Sequence, residues 1–282
     1  MTNLKDFSTN GSPNFCIIAP IAYLEQYSTL SHTHLVLAHL VDTNDEYASF
    51  YKRMSDRGDR IICDNGAFEL GESYSPEKLI EIGTKCGADA LVLPDYPFKH
   101  AQITIEAAQK WIPLFRDAGF KCAFVPQSEK GGLDQWIDAY QWAATNPEIS
   151  IICMSILGIP NALPHIPVQY ARVVMSQILK DRNIVANKFH HYLGLQSGAN
   201  VEIPSLIKLG ILNSCDSSNP VWCGINGLKY NTTMTDFMPM QKKYLREVDF
   251  YQDITKKSHI HEIIKYNVDL TLEIFADPAS YL

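Results

Sequence analysis

The sequence predicts a single α/β domain folded as an eight-stranded (β/α)8 barrel. Three observations lead there. Eight short apolar runs rich in β-branched residues recur along the chain, and stretches with helical spacing separate them. The length, 282 residues, suits a fold that typically uses roughly 250. The runs are continuous rather than alternating in polarity, as expected of parallel strands buried on both faces. A doubly wound open sheet shares this pattern, because strand–helix alternation alone does not show closure.

The eight runs occupy residues 15–20, 34–40, 60–64, 90–94, 121–126, 150–155, 191–195 and 211–215. Between the second and third, residues 44–54 place Tyr47, Phe50, Tyr51 and Met54 at helical spacing. Residues 75–86 open on Ser75-Pro76-Glu77, an N-cap followed by proline at the first helical position. Residues 100–118 and 133–145 predict longer helices, and 168–179 and 202–209 complete the alternation. No repeat, low-complexity tract or Pro/Gly/Ser-rich linker divides the chain, so residues 1–282 are expected to form one domain. The last part, 224–282, is expected to be an extension packed on the barrel, helical from 259 to 275.

Composition narrows the function classes. Hydrophobic residues make up 46% and charged residues 20% of the chain, an ordinary globular balance. No apolar run approaches the roughly 20 residues needed to cross a bilayer. Met1 to Phe15 lacks the basic start and apolar stretch of a secretory signal. The seven cysteines are scattered without C-x-x-C or Cys/His spacing. That predicts neither a disulfide framework nor a metal site, and it fits a reducing cytoplasm. The net charge of −7 argues against a general nucleic-acid coat. Residues 180–265, however, carry 11 Lys/Arg against 8 Asp/Glu, whereas the remainder carries 13 against 23. Lys242, Lys243, Arg246, Lys256 and Lys257 cluster there, with Lys229 nearby. They read either as a solvated helix face or as an edge that contacts phosphates.

Barrel enzymes place their chemistry at the C-terminal ends of the strands. The third run leads into Asp64-Asn65-Gly66-Ala67-Phe68-Glu69, the fourth into Asp95, the fifth into Gln127. The sixth ends in Ser155-Ile156-Leu157-Gly158, the seventh leads through Leu193 and Gly194 into Gln196-Ser197-Gly198, and the eighth ends at Asp216. An aspartate at a strand-to-helix junction is often a helix N-cap. Three aspartates and a glutamine on four strands would instead converge on one mouth, where mutual repulsion raises carboxylate pKa values. Such a set could bind Mg²⁺, or divide nucleophilic and acid–base work. Asp95 with Gln127 could read the hydrogen-bonding edge of a purine, with Phe68 stacked on it.

In order and spacing these residues resemble the queuine/archaeosine tRNA-guanine transglycosylase superfamily, over roughly residues 60–216. The family's Asp-Ser-Gly-Gly-Phe-Gln signature is similar to Asp64-Asn65-Gly66-Ala67-Phe68-Glu69, and its nucleophile in Phe-Asp-Cys resembles Asp216 in Ser214-Cys215-Asp216-Ser217. The family's C-x-C-x-x-C…His zinc site has no counterpart in this sequence. The short chain, the missing zinc ligands and the Asp-Asn-Gly-Ala-Phe-Glu variant look like the phage-type DNA deazaguanine transglycosylases. That resemblance implies exchange of guanine in DNA for a 7-deazaguanine, commonly 7-cyano-7-deazaguanine, in the host cytoplasm.

The resemblance also assigns roles. Asp216 becomes the nucleophile and Asp64 the general acid/base. Asp95, Gln127, Phe68, Ser155, Gly158, Leu193 and Gly194 become the base pocket. Independently of the resemblance, Lys229, Lys242, Lys243 and Arg246 are the candidates for contacts to the nucleic-acid backbone. No cofactor or metal is implied. The expected partners are DNA and a free deazaguanine base, with a duplex-opening helper protein left open. A tRNA-directed transglycosylase, a non-catalytic barrel that binds nucleic acid or a partner subunit, and an Mg²⁺-dependent metabolic barrel remain alternatives.

Overall fold

The computed structural model describes residues 5–9, 11–238, 249–254 and 257–282. Eight strands, β1 (Asn14–Ile17), β2 (Thr33–Val36), β3 (Arg60–Cys63), β4 (Ala90–Val92), β5 (Lys121–Phe124), β6 (Ile149–Ser155), β7 (Phe189–Leu193) and β8 (Ser214–Ser217), lie in one sheet. Their order is β1-β8-β7-β6-β5-β4-β3-β2, and every ladder is parallel. Each strand overlaps one of the eight apolar runs. Pairing of the first strand with the last rolls the sheet into a nearly closed barrel, which excludes the open doubly wound alternative.

Serine side chains seal the seam between β1 and β2. Ser31 donates its hydroxyl to the Phe15 carbonyl at 2.8 Å and accepts the Ile17 N–H at 3.0 Å. Ser28 donates to the Ile17 carbonyl at 2.9 Å. Both serines are buried, and together they satisfy backbone groups that an edge strand would leave unpaired.

The crossovers are helical. α1 (Leu24–Tyr27) follows β1; α2 (Ala38–Thr43) and α3 (Asp45–Arg57) follow β2; α4 (Ala67–Leu70) and α5 (Pro76–Cys86) follow β3. α6 (Ala101–Asp117), α7 (Leu133–Thr145), α8 (Gly158–Ala162) with α9 (Val168–Asp181), α10 (Ala199–Leu209) and α11 (Asn219–Ile225) follow β4 to β8 in turn. The expected cap at Ser75 is present, its hydroxyl accepting the Lys78 N–H at 3.3 Å. Two boundaries differ from expectation. The second apolar run, 34–40, turns into helix from Ala38. The eighth, 211–215, enters its strand only at Ser214, so Asp216 lies within β8, paired in register with Cys16.

The extension packs on the barrel through α12 (Ser258–Ala276). Asn267, fully buried, donates to the carbonyls of Pro220 and Leu228 and accepts the Tyr230 N–H at 2.8 Å. Gly224 permits this closeness, because a Cβ there would sit 2.5 Å from the Ile264 side chain and 2.7 Å from its Cα. The seven cysteines are buried and unbridged. Among the described residues no helix is long and apolar enough to cross a membrane.

Candidate active site

Asp216 sits near the C-terminal end of β8 and is 5% exposed. Its Oδ1 accepts two hydrogen bonds, from His191 Nε2 at 3.1 Å and from the Gly194 backbone N–H at 3.1 Å. No described residue hydrogen-bonds Oδ2. His191, on the neighbouring β7, is fully buried, and its Nδ1 lies 2.6 Å from Ser214 Oγ. With Ser214 donating to Nδ1, the ring directs its Nε2 proton at Asp216. One carboxylate oxygen is thereby fixed.

Asp64 follows β3 directly. Its backbone N–H extends the ladder to Val36, and its Oδ2 accepts the Gly66 N–H at 3.2 Å. Gly66 takes φ +80, a conformation that suits glycine. Burial, then the charges of Glu69 and Asp95, push the Asp64 carboxyl up to about 7. Mutual repulsion was the expected cause; burial is the larger one. Glu69, one turn along α4, is raised by burial and then by Asp216. Its Oε2 lies 3.9 Å from His39 Nδ1.

Asp95 and Gln127 do form a pair. Gln127 Nε2 donates to Asp95 Oδ2 at 2.6 Å, and Asn65 Nδ2 donates to Asp95 Oδ1 at 2.7 Å. Burial raises the Asp95 carboxyl while the two amides oppose that shift. With its NH2 turned to Asp95, Gln127 presents Oε1, which is buried and has no partner among the described residues. Gly158 keeps that oxygen clear, since a Cβ there would approach it to 3.0 Å. A buried unpaired acceptor is costly, so this oxygen is suited to an N–H donor on a ligand. The Cys153 thiol on β6 is raised by burial and then by Asp64, Asp95 and Asp216. All three carboxylates thus act on this one thiol.

The other expected pocket residues are placed as follows. Ser155 ends β6 and caps α8, its Oγ accepting the N–H groups of Leu157 and Gly158 at 3.2 and 3.0 Å. Leu193 is half-buried at the end of β7. Gly194 gives its N–H to Asp216, so it holds the carboxylate rather than presenting a free donor to a base. Phe68 stands on the rim, 73% exposed. Lys229 sits with its ammonium 4.0 Å from the centre of the Tyr266 ring. Lys242, Lys243 and Arg246 lie outside the described residues.

Sequence reasoning did not single out His191, Asn65 or Glu69 as functional. A His-His pair inside an otherwise apolar strand was the available signal for His191. Two cavities on the barrel's opposite, N-terminal face contain none of these residues. Among the described residues no cluster of three or more His, Cys, Asp or Glu is placed to hold a metal ion. Compared with known proteins, the chain matches no protein-family model and no curated protein.

Proposed function

We propose that the protein exchanges guanine in DNA for a 7-deazaguanine through a covalent aspartyl–glycosyl intermediate. The observation that carries this reading is that two carboxyl groups in unlike environments stand at the C-terminal ends of β8 and β3. Asp216 has one oxygen fixed by two donors and the other unengaged, whereas burial favours the protonated form of Asp64 up to about pH 7. A nucleophile and a proton donor need those two environments.

In the first displacement Asp216 Oδ2 attacks C1′ of the flipped nucleotide and the bond from C1′ to guanine N9 breaks. Asp64 gives its proton to the departing base. In the second, the Asp64 carboxylate takes the N9 proton of the incoming deazaguanine, whose N9 displaces Asp216 from C1′. Two inversions retain configuration, as in retaining glycosidases. Asp95 and Gln127 Oε1 would accept from the N–H groups of the pyrimidine edge, which guanine and 7-deazaguanines share.

Extruding the nucleotide costs a few kcal/mol. Exposed apolar side chains on the loops at the strand C-termini are suited to offset it: Phe68 and Leu70 after β3, Tyr96 and Phe98 after β4, Leu157 after β6. Unstacked bases pack well on such groups. Phe98 takes φ +65, a strained conformation for a bulky residue, while half of its side chain faces solvent. DNA is preferred to tRNA because the sequence lacks the thiolate–histidine zinc set that the tRNA enzymes carry.

The test is incubation with labelled guanine and either duplex DNA or tRNA. Label entering DNA supports the proposal. Label entering tRNA alone transfers the chemistry to the other substrate. DNA bound without exchange indicates a non-catalytic barrel.

A further inference from the structure

We infer that Arg172, buried behind the site and out of contact with Asp216, positions and polarises that carboxylate through the Leu193–Gly194 peptide. The inference rests on Asp216 being the nucleophile for its catalytic consequence, though not for its structural content.

Arg172 lies on α9 and is 2% exposed. All five of its N–H donors are engaged. Nε donates to Glu202 Oε2 at 3.0 Å, and one Nη2 hydrogen goes to Glu202 Oε1. The other Nη2 hydrogen goes to the Gly194 carbonyl at 2.6 Å. Nη1 donates to the carbonyls of Leu193 at 2.9 Å and Met154 at 3.3 Å. The guanidinium thus gathers the C-terminal ends of β6 and β7.

The Leu193 carbonyl and the Gly194 N–H are the two ends of one planar peptide unit. Its oxygen accepts from the Arg172 cation, and its N–H donates to Asp216 Oδ1. A peptide held between a cation and an acceptor is polarised along that line, and its N–H becomes a stronger donor. Arg172 also grips the next carbonyl, that of Gly194, so both peptide planes flanking Gly194 are fixed. Gly194 takes φ +70, which leaves the turn dependent on such contacts for its orientation. A buried ion pair is a poor source of net stability. Three carbonyls beside the candidate nucleophile give this one another purpose, and make Arg172 a positioning residue.

Replacing Arg172 alone would strand the Glu202 carboxylate in the core and endanger folding. Arg172→Met combined with Glu202→Leu removes both charges at similar volume, and circular dichroism establishes that the product is folded. Two readouts follow on the full chain. Labelling with ¹³C-carbonyl leucine and ¹⁵N-glycine marks only the four Leu–Gly amides of the sequence, and the Gly194 proton should move upfield in the double variant. Single-turnover formation of the covalent adduct on guanine-containing DNA should fall about 10-fold, or about 1.4 kcal/mol, with the DNA Kd unchanged. A folded variant that keeps the wild-type Gly194 shift overturns the inference, whatever its rate. If wild-type protein forms no adduct at all, the transglycosylase reading fails, and the Gly194 shift still decides the role of Arg172.

Discussion

The two sides of the barrel mouth are built on opposite electrostatic plans. On the β7–β8 side, Asp216 is held by an imidazole N–H and a backbone N–H, with a buried arginine behind the peptide that supplies the latter. On the β3–β4 side, Asp64, Glu69 and Asp95 are gathered with amides as their main hydrogen-bond partners, and burial raises all three carboxyls. One side supplies fixed donors to a carboxylate oxygen; on the other, burial shifts each carboxyl toward its protonated form. Carboxyl groups at the strand ends of one barrel are thus given different environments by burial and by their hydrogen-bond donors.

Removing the donor-rich side's carboxylate should have the largest effect. Asp216→Asn keeps the shape but offers a poor nucleophile. Base exchange and covalent trapping on DNA, measured with labelled guanine, should both fall by at least about 10³-fold, a loss of the size seen when a catalytic nucleophile is removed. An exchange rate near wild type would remove Asp216 from the chemistry.

Next is the acidic side. Asp64→Asn should slow single-turnover trapping by about 10²- to 10⁴-fold, as for loss of a general acid. In the wild type that step needs protonated Asp64, so its rate should decline as pH rises through about 7. The same residue affects stability with a definite sign. Its folded pKa of about 7 lies above the ordinary 3.8, so folding takes up a proton and stability falls as pH rises between those values. Asp64→Asn should therefore melt higher than wild type at pH 8, by on the order of 1–3 kcal/mol, and lose that advantage near pH 4. Equal melting differences at both pH values would show that Asp64 titrates normally.

His191→Gln tests the donor-rich side more gently. An amide can keep a hydrogen bond to Asp216 but misplaces it, so trapping should slow about 10-fold while base affinity holds. A change in base affinity alone would place His191 in the base pocket instead.

The smallest expected effect lies on the rim. Phe98→Gly relieves a left-handed backbone and removes an exposed ring. It should leave the melting temperature unchanged or raised, and weaken DNA binding by about 1 kcal/mol as measured by titration. Unaltered DNA binding would detach the apolar rim from substrate capture.

Much of this architecture was legible in the sequence. Every strand overlaps one of the apolar runs, because strands buried on both faces need continuous apolar character, although β8 shares only Ser214 and Cys215 with its run. The position of Asp64, Asp95 and Gln127 at the strand ends was legible because barrel topology places whatever follows a parallel strand at one mouth. The limits are equally specific. The β8 boundary was misread because Ile211 and Leu212 are buried without joining the ladder, and burial alone fixes the hydrophobic pattern. His191 went unrecognised because the adjacent pair His190-His191 marks buried polarity in the strand but not what either ring meets; the partner of His191 is 25 residues away. Arg172 and Glu202 lie on consecutive helices flanking β7, and only the packing of α9 on α10 joins them. That the Gly194 N–H goes to Asp216 was not legible either, since a sequence does not reveal where a backbone N–H points.

The central claim is that Asp216 carries the glycosyl group. The direct measurement is mass spectrometry of peptides from protein denatured during exchange on guanine-containing duplex DNA. The expected result is a nucleotide-derived mass on the peptide containing Asp216, absent in Asp216→Asn. An adduct on another residue, or base exchange that persists in Asp216→Asn, would contradict it.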